Sequence, residues 1–448
     1  MGAAEISPSL LIRGGLIVTM NDAFDVIEGD VSIRDGKIAS IGHQIIESHD
    51  RVIEARGGYV LPGFVQTHIH LCQTLFRGYA DDLPLMDWLR KRVWLMEAAH
   101  TPASLRAAVQ LATTELLSGG TTTVLTMETV HDTDVVFEAA AESGIRATIG
   151  KCMMDAAADG TPARLRETAH ASLDESRGLR ERWNGAADGR LRAAFAPRFA
   201  VSCSRDLLEA VASLSAETRT IVHTHASESR DEIAIVRELS GGLSNIEYLA
   251  AVRLASPRLC AAHCVWVDDR EQALLAEHDV KVMHCPSSNL KLGSGLAPVV
   301  EMRARGITVS LGADGAACNN RLDMFEEMRL AALLQATRRG PGSLTARDAL
   351  VMATRSGAKT LGLDKEIGSI ETGKRADIIV VDCDRLHMTP GPNPYSTLVY
   401  AARPTDVRTT IVDGDVLVDE FRPTRVDPAE IAAGARAAAT ALAARAGL

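Results

Sequence analysis

No two of the chain's eight cysteines stand in a CxxC pair. That removes the zinc knuckle and the thioredoxin-like redox motif from consideration. Cys260, Cys264 and Cys285 lie inside apolar runs and read as reduced, buried residues of a cytoplasmic protein. No apolar run reaches the ~20 residues of a membrane span. The opening MGAAEISPSLLIRGG has no basic region followed by a long apolar core, so no signal peptide is expected. A Gly-rich phosphate loop is missing as well, which weakens any nucleotide-binding version of an α/β fold. Nor is there an excess of positive charge. Lys and Arg number 48 against 58 Asp and Glu, a net charge of −10. Neither nucleic acid nor an anionic membrane is the expected partner; a small molecule is. The 448 residues, 46% of them hydrophobic, suffice for one barrel-sized domain and a smaller one, with self-association left open.

What is present is organised in three parts. LLIRGGLIVTM, DVSIRDGKIASIG and RVIEARGGYVL are short runs rich in β-branched residues, with a hairpin signal at Asp35-Gly36. The texture returns in ADIIVVDCD and VRTTIVDGDVLVDEF, again with an Asp-Gly turn at Asp413-Gly414. Residues 1–62 and 370–425 are therefore expected to form one composite β-sandwich domain. Between them, over 63–369, eight candidate strands alternate with helical stretches: VLPGFVQTHIH, TTTVLTM, IRATIGK, LRAAFAPR, TIVHTH, RLCAAHC, DVKVMHC and ITVSLGAD. Eight strand–helix units point to a (β/α)8 TIM barrel, with a doubly wound open sheet as the alternative. The Ala-rich segment 426–448 reads as a capped, docked C-terminal helix.

In such a barrel the chemistry lies at the carboxyl ends of the strands. Those ends carry His68 and His70, Met127-Glu128, Lys151, Arg198, His225, His263, His284 and Asp314. Random placement of 13 histidines would rarely put so many there. Alternation sends His68 and His70 to one face. With His225 and Asp314 they make three imidazoles and a carboxylate, a donor set for one divalent ion; zinc is expected first, though iron and manganese suit the same donors. His223 reads as a supporting or core residue. Glu228, three residues past His225, falls above the same pocket and is the natural proton shuttle. His263 reads either as a fourth imidazole ligand or as a group that polarises the reactive water. His284 reads as structural, and Lys151 as a pocket residue or the partner of a surface acid.

The motifs PGFVQTHIH, THASE, AAHC and LGADG, with the closing GSIETGKRADIIVVD, resemble the amidohydrolase superfamily in its deaminase and chlorohydrolase branch. The resemblance spans essentially the whole chain. It implies a barrel with a sandwich built from both termini, one metal on His68, His70, His225 and Asp314, proton transfer by Glu228 and Asp314, and a water contacted by His263. Arg198 stands at the end of strand four where the two-metal branches need a lysine, which implies a mononuclear site. The first half, through HIHLCQ, DLPLMDWL and APRFAVSCS, is similar to guanine deaminases, in which the residues matching Gln73, Arg198 and Phe199 bind the purine. The second half, through SSNLKLGSGLAP and GADGAACNNRLDMFEEMRLAALLQ, is similar to methylthioadenosine and S-adenosylhomocysteine deaminases. Trp88 and Glu97 match positions those enzymes use around the nucleoside, while Lys151 stands where they usually carry an arginine and Arg198 where they usually carry a histidine. The expected activity is hydrolytic deamination of an aminated N-heterocycle, weighted toward a guanine-like oxo-purine base because a guanidinium suits a carbonyl edge. A nucleoside deaminase and a triazine hydrolase are the alternatives, and a barrel that only binds its ligand is the non-enzymatic one.

Overall fold

The computed structural model describes residues 9–156 and 160–448. The first eight residues of the expected N-terminal sheet segment thus lie outside the described chain. Leu10–Val18 (β1), Val26–Arg34 (β2), Lys37–Gly42 (β3), Arg51–Glu54 (β4) and Gly58–Pro62 (β5) precede the barrel. Barrel strands follow at Phe64–His70 (β6), Thr121–Met127 (β7), Arg146–Met153 (β8), Leu191–Pro197 (β9), Val222–Ala226 (β10), Leu259–His263 (β11), Lys281–His284 (β12), Val309–Leu311 (β13) and Asp314–Gly315 (β14). Ile378–Asp382 (β15), Val407–Val412 (β16), Asp415–Asp419 (β17) and Arg422–Pro423 (β18) complete the second sheet.

That second sheet is mixed and takes strands from both ends of the chain, in the order β18-β17-β16-β15-β5-β1-β2-β3, with β4 on β1. Its core unites Leu10, Ile12, Val31 and Ile33 with Ile378, Val380 and Ile411. Both Asp-Gly turns hold positive φ at their two central residues (Asp35 +50°, Gly36 +71°; Asp413 +51°, Gly414 +82°), the twist that a two-residue hairpin needs. Arg146 at the start of β8 joins the two sheets. Its guanidinium is buried, donates to Asp377 at 2.8 and 3.0 Å, and pairs with Asp413 at 2.8 Å.

The barrel ladder is parallel throughout, running β13-β12-β11-β10-β9-β8-β7-β6-β14. The eighth strand, expected as one run ITVSLGAD, is broken. β13 pairs with β12 while β14 pairs with β6, Asp314 opposite Ile69 and Gly315 opposite His70. The break closes the barrel because the chain approaches β6 too tightly for a side chain: a Cβ on Gly312 would lie 2.7 Å from the backbone nitrogen of His68. Gln66 Oε1 then accepts from the freed Ala313 N–H at 3.2 Å. Val65, Leu125, Ala194, Cys260, Ala262 and Met283, from five different strands, pack into one plug that fills the barrel interior. Helix Pro102–Ser118 is capped by Thr101, with Pro102 at its first position as its sequence predicts, and the C-terminal helix Pro428–Ala446 packs against it. No helix among the described residues is long and apolar enough to cross a membrane.

Candidate metal centre and pocket

His68, His70, His225 and Asp314 each bring a donor atom to the barrel mouth, all within 4.8 Å of one another. Their orientation is set from behind. His70 Nδ1 lies 2.7 Å from the Met127 carbonyl, and His225 Nδ1 lies 2.7 Å from the Arg198 carbonyl. A carbonyl only accepts, so both Nδ1 atoms carry the proton and both Nε2 atoms turn lone pairs inward. Those two Nε2 atoms face each other at 3.3 Å. His68 Nδ1 is 2.6 Å from His223 Nε2, and His68 Nε2, fully buried, has no hydrogen-bond partner. Converging lone pairs without a proton between them need a cation, and three imidazole nitrogens with one carboxylate oxygen are a donor set for a divalent one. The charge states agree. Burial holds His68 down to about 4 and His225 well below the usual imidazole range. Burial opposes charge on His70 too, but Asp314 beside it outweighs this and lifts it. Asp314 is kept ionised: burial pushes its carboxyl up, and His68 and His70 pull it well below the usual carboxylate range.

A second layer holds the acid–base groups. The short helix Pro286–Lys291 starts just past β12. Its Ser288 hydroxyl donates to Asp314 Oδ2 at 2.7 Å, and Asn289 Oδ1 accepts from His263 Nδ1 at 2.9 Å. His263 Nε2 therefore faces the pocket without a hydrogen-bond partner, 3.6 Å from Glu228 Oε2 and 3.9 Å from Asp314 Oδ2. Glu228 Oε1 accepts from the Ser294 hydroxyl at 3.2 Å, and the Glu228 N–H donates to Glu232 at 2.7 Å. Burial lifts the Glu228 carboxyl to about 7. Ser227, His263 and Asp314 all sit at positive φ (+54°, +72°, +62°), so backbone strain concentrates at this mouth.

Above these groups opens a cleft of about 390 Å³. Gln73, Arg198 and Glu228 give it polar character; Leu85, Trp88, Leu89, Phe199 and Leu292 form an apolar wall. Glu97 stands behind this surface. Its Oε2 accepts from Arg198 Nη1 at 2.6 Å, and its Oε1 accepts from Arg198 Nη2 at 3.2 Å and from Gln73 Nε2 at 3.0 Å. Gln73 Oε1 and Trp88 Nε1 are buried and unpartnered.

Lys151 is the expected pocket residue that the structure removes. Alternation turns its neighbour Cys152 toward Arg198 and Lys151 toward the helix layer, where its amine donates to Glu167 at 2.5 Å and lies 3.7 Å from Glu175. His284 is buried, and neither ring nitrogen has a hydrogen-bond partner. Three groups escaped sequence reasoning. Ser288 and Asn289 could have been noticed as polar residues opening a helix directly after a barrel strand. Glu128, noted only as a strand-end polar residue, accepts from the backbone N–H groups of Leu71 and Cys72 at 3.0 and 2.9 Å and so anchors the turn that carries Gln73. Leu85, Leu89 and Leu292 gave no signal beyond ordinary apolarity.

Known proteins share this arrangement. The model of the amidohydrolase family matches residues 59–417. A 5′-deoxyadenosine deaminase of Methanosarcina acetivorans is 40% identical over 439 residues, covering 98% of this chain and 99% of its own. A 5-methylthioadenosine/S-adenosylhomocysteine deaminase of Symbiobacterium thermophilum is 41% identical over 440 residues, covering 97% and 99%. Among solved structures, an adenosine deaminase from Xanthomonas campestris with bound zinc superposes with a TM-score of 0.91 at 31% identity, over 97% of this chain and 98% of that one. A guanine deaminase from C. acetobutylicum with bound guanine gives 0.83 at 27% identity, over 91% and 99%. The chain belongs to the amidohydrolase family and is a metal-dependent hydrolase of carbon–nitrogen bonds, a deaminase.

Proposed function

We propose that this chain deaminates an adenine nucleoside that carries no 5′ phosphate, of the 5′-deoxyadenosine or methylthioadenosine type. The observation that carries the reading is the Arg198–Glu97–Gln73 arrangement. An oxo-purine reading needs Arg198 free to meet a carbonyl edge. Instead both of its Nη groups donate to Glu97. An ionised carboxylate has about four acceptor positions, and Arg198 and Gln73 occupy three on Glu97, leaving one on Oε2. Gln73 Oε1 is a second open acceptor. Open acceptors suit the hydroxyl donors of a sugar. Arg198 is the one cation lining the cleft among the described residues, and Glu97 already balances it, so a phosphate would find no free positive charge. The similar relatives agree: the nucleoside deaminases are 40–41% identical to this chain and the guanine deaminase 27%. The oxo-purine weighting that sequence reasoning put on Arg198 moves accordingly to the nucleoside.

In this reading His68, His70, His225 and Asp314 hold one ion, zinc as in the Xanthomonas structure. When bound, a divalent ion supplies Lewis acidity that lowers the pKa of water from ~15.7 toward 7. Asp314, steadied by Ser288, takes the proton of the attacking water, and His263 Nε2 orients that water toward the ring carbon bearing the amine. Glu228, protonated in part at neutral pH because of its burial, donates to the adjacent ring nitrogen, so negative charge need not build on the ring as ammonia leaves. The apolar wall excludes competing water. The deciding experiment compares kcat/KM for 5′-deoxyadenosine, methylthioadenosine, S-adenosylhomocysteine, AMP and guanine by ammonia release. The nucleosides should exceed guanine and AMP by at least 100-fold; a preference for guanine would return the assignment to an oxo-base.

A further inference from the structure

We propose that a recess at the amino-terminal end of the barrel strands, on the face away from the catalytic cleft, binds a small multiply charged oxyanion of the phosphate class. The recess measures about 1300 Å³ and lies where the starts of β9 and β10, the end of helix Ala169–Trp183 and the segment 359–362 meet. Six cationic side chains line it, Arg180, Arg192, Arg219, Arg258, Lys359 and Arg375, against one carboxylate, Glu366. Glu366 is taken by Arg192 and Arg375, each at 3.0 Å. Among the described residues, Arg180, Arg219, Arg258 and Lys359 have no carboxylate partner. Two of these four are nonetheless held in place. Arg180 Nε donates to Thr220 Oγ1 at 2.8 Å and its Nη2 to the Thr218 carbonyl at 3.2 Å; Arg258 Nε donates to Ser215 Oγ at 3.1 Å. Neutral acceptors fix the two guanidinium groups without cancelling their charge, and each keeps Nη donors to offer. Asn184 in the same wall accepts from the Ala193 N–H through Oδ1, which leaves its amide NH₂ as a neutral donor.

Four unbalanced cations converging on one recess are unexpected in a chain of net charge −10. Left empty, they repel one another; a tetrahedral oxyanion matches guanidinium forks bidentately and removes that repulsion. The site shares no residue with the catalytic cleft, so the proposal stands independently of the substrate assignment. The test is calorimetric titration of the intact metal-loaded protein with inorganic phosphate, at constant ionic strength set with chloride. One saturable site per chain is expected. Arg180→Ala/Arg258→Ala should weaken it at least tenfold while leaving deamination unchanged. If that variant fails to fold, Arg219→Ala/Lys359→Ala, both at exposed positions, should weaken it likewise. No saturable binding above the chloride background would overturn the proposal. So would binding that persists unchanged in the variants, which is the result expected of phosphate lodged at the metal centre.

Discussion

Gly315→Ala tests whether Gln73 and Glu97 act together on substrate. Gly315 sits one residue past Asp314, and its φ lies outside the left-handed region, so alanine meets no backbone penalty there. Its added methyl would overlap Gln73 Oε1 and lie 2.9 Å from Gln73 Cδ. The obstacle is the far end of a flexible side chain, which yields more cheaply than backbone. The Gln73 amide must therefore swing away and release its 3.0 Å hydrogen bond to Glu97. A hydrogen bond to a charged group contributes about 1.5–3 kcal/mol. Lost on substrate binding, that amounts to roughly a 10- to 150-fold fall in kcat/KM for the nucleoside. We expect the fall to appear mainly in KM, with about one metal per chain retained and Tm changed by only a few degrees. A double-mutant cycle isolates the cause: in a Gln73→Ala background, Gly315→Ala should have almost no further effect. An equally large loss in that background would refute the reasoning, because the methyl would then be acting through Asp314 or the backbone rather than through Gln73.

Glu228→Gln should lower turnover by ~10²–10⁴-fold with metal content unchanged; near wild-type turnover would remove Glu228 from proton transfer. Because Glu228 donates in its protonated form and burial sets its carboxyl near 7, kcat/KM should fall as pH rises through about 7, and this limb should disappear in the glutamine variant. Gly312→Ala presses on His68 backbone atoms that cannot swing aside, so elemental analysis should find metal lost or the protein insoluble. Arg146→Ala leaves Asp377 and Asp413 buried without their cation and should destabilise the fold by about 3–5 kcal/mol in denaturant unfolding, while the folded fraction keeps its kcat.

The ligands were legible because they follow a local rule. A polar side chain closing a buried strand is unusual, and His68, His70, His225 and Asp314 each break the apolar pattern at the same structural place. Strand periodicity located the barrel for the same reason. Sequence reasoning failed where an outcome depends on direction or on partners far along the chain. Lys151 and Cys152 are adjacent, and which of them faces the pocket depends on strand orientation. Arg198 looked available to a carbonyl because its partner, Glu97, lies 101 residues earlier on a different element. The break in the eighth strand depends on contact between Gly312 and His68, which no window of sequence reveals.

The seam between β5 and β15 bears on how the chain is made. β5 lies between β1 and β15, and the registers Val60–Val380 and Leu61–Ile379 link segments from opposite ends of the polypeptide. β5 leaves the ribosome roughly 300 residues before β15, which at ~5–20 residues/s is a delay of about 15–60 s. Through the whole synthesis of the barrel, the far edge of β5 presents unpaired backbone groups to its surroundings, and nascent copies on one messenger are the nearest strands that could pair with it. Yield in a host should therefore respond more to translation speed and to chaperones that shield β edges than to any substitution in the catalytic cleft.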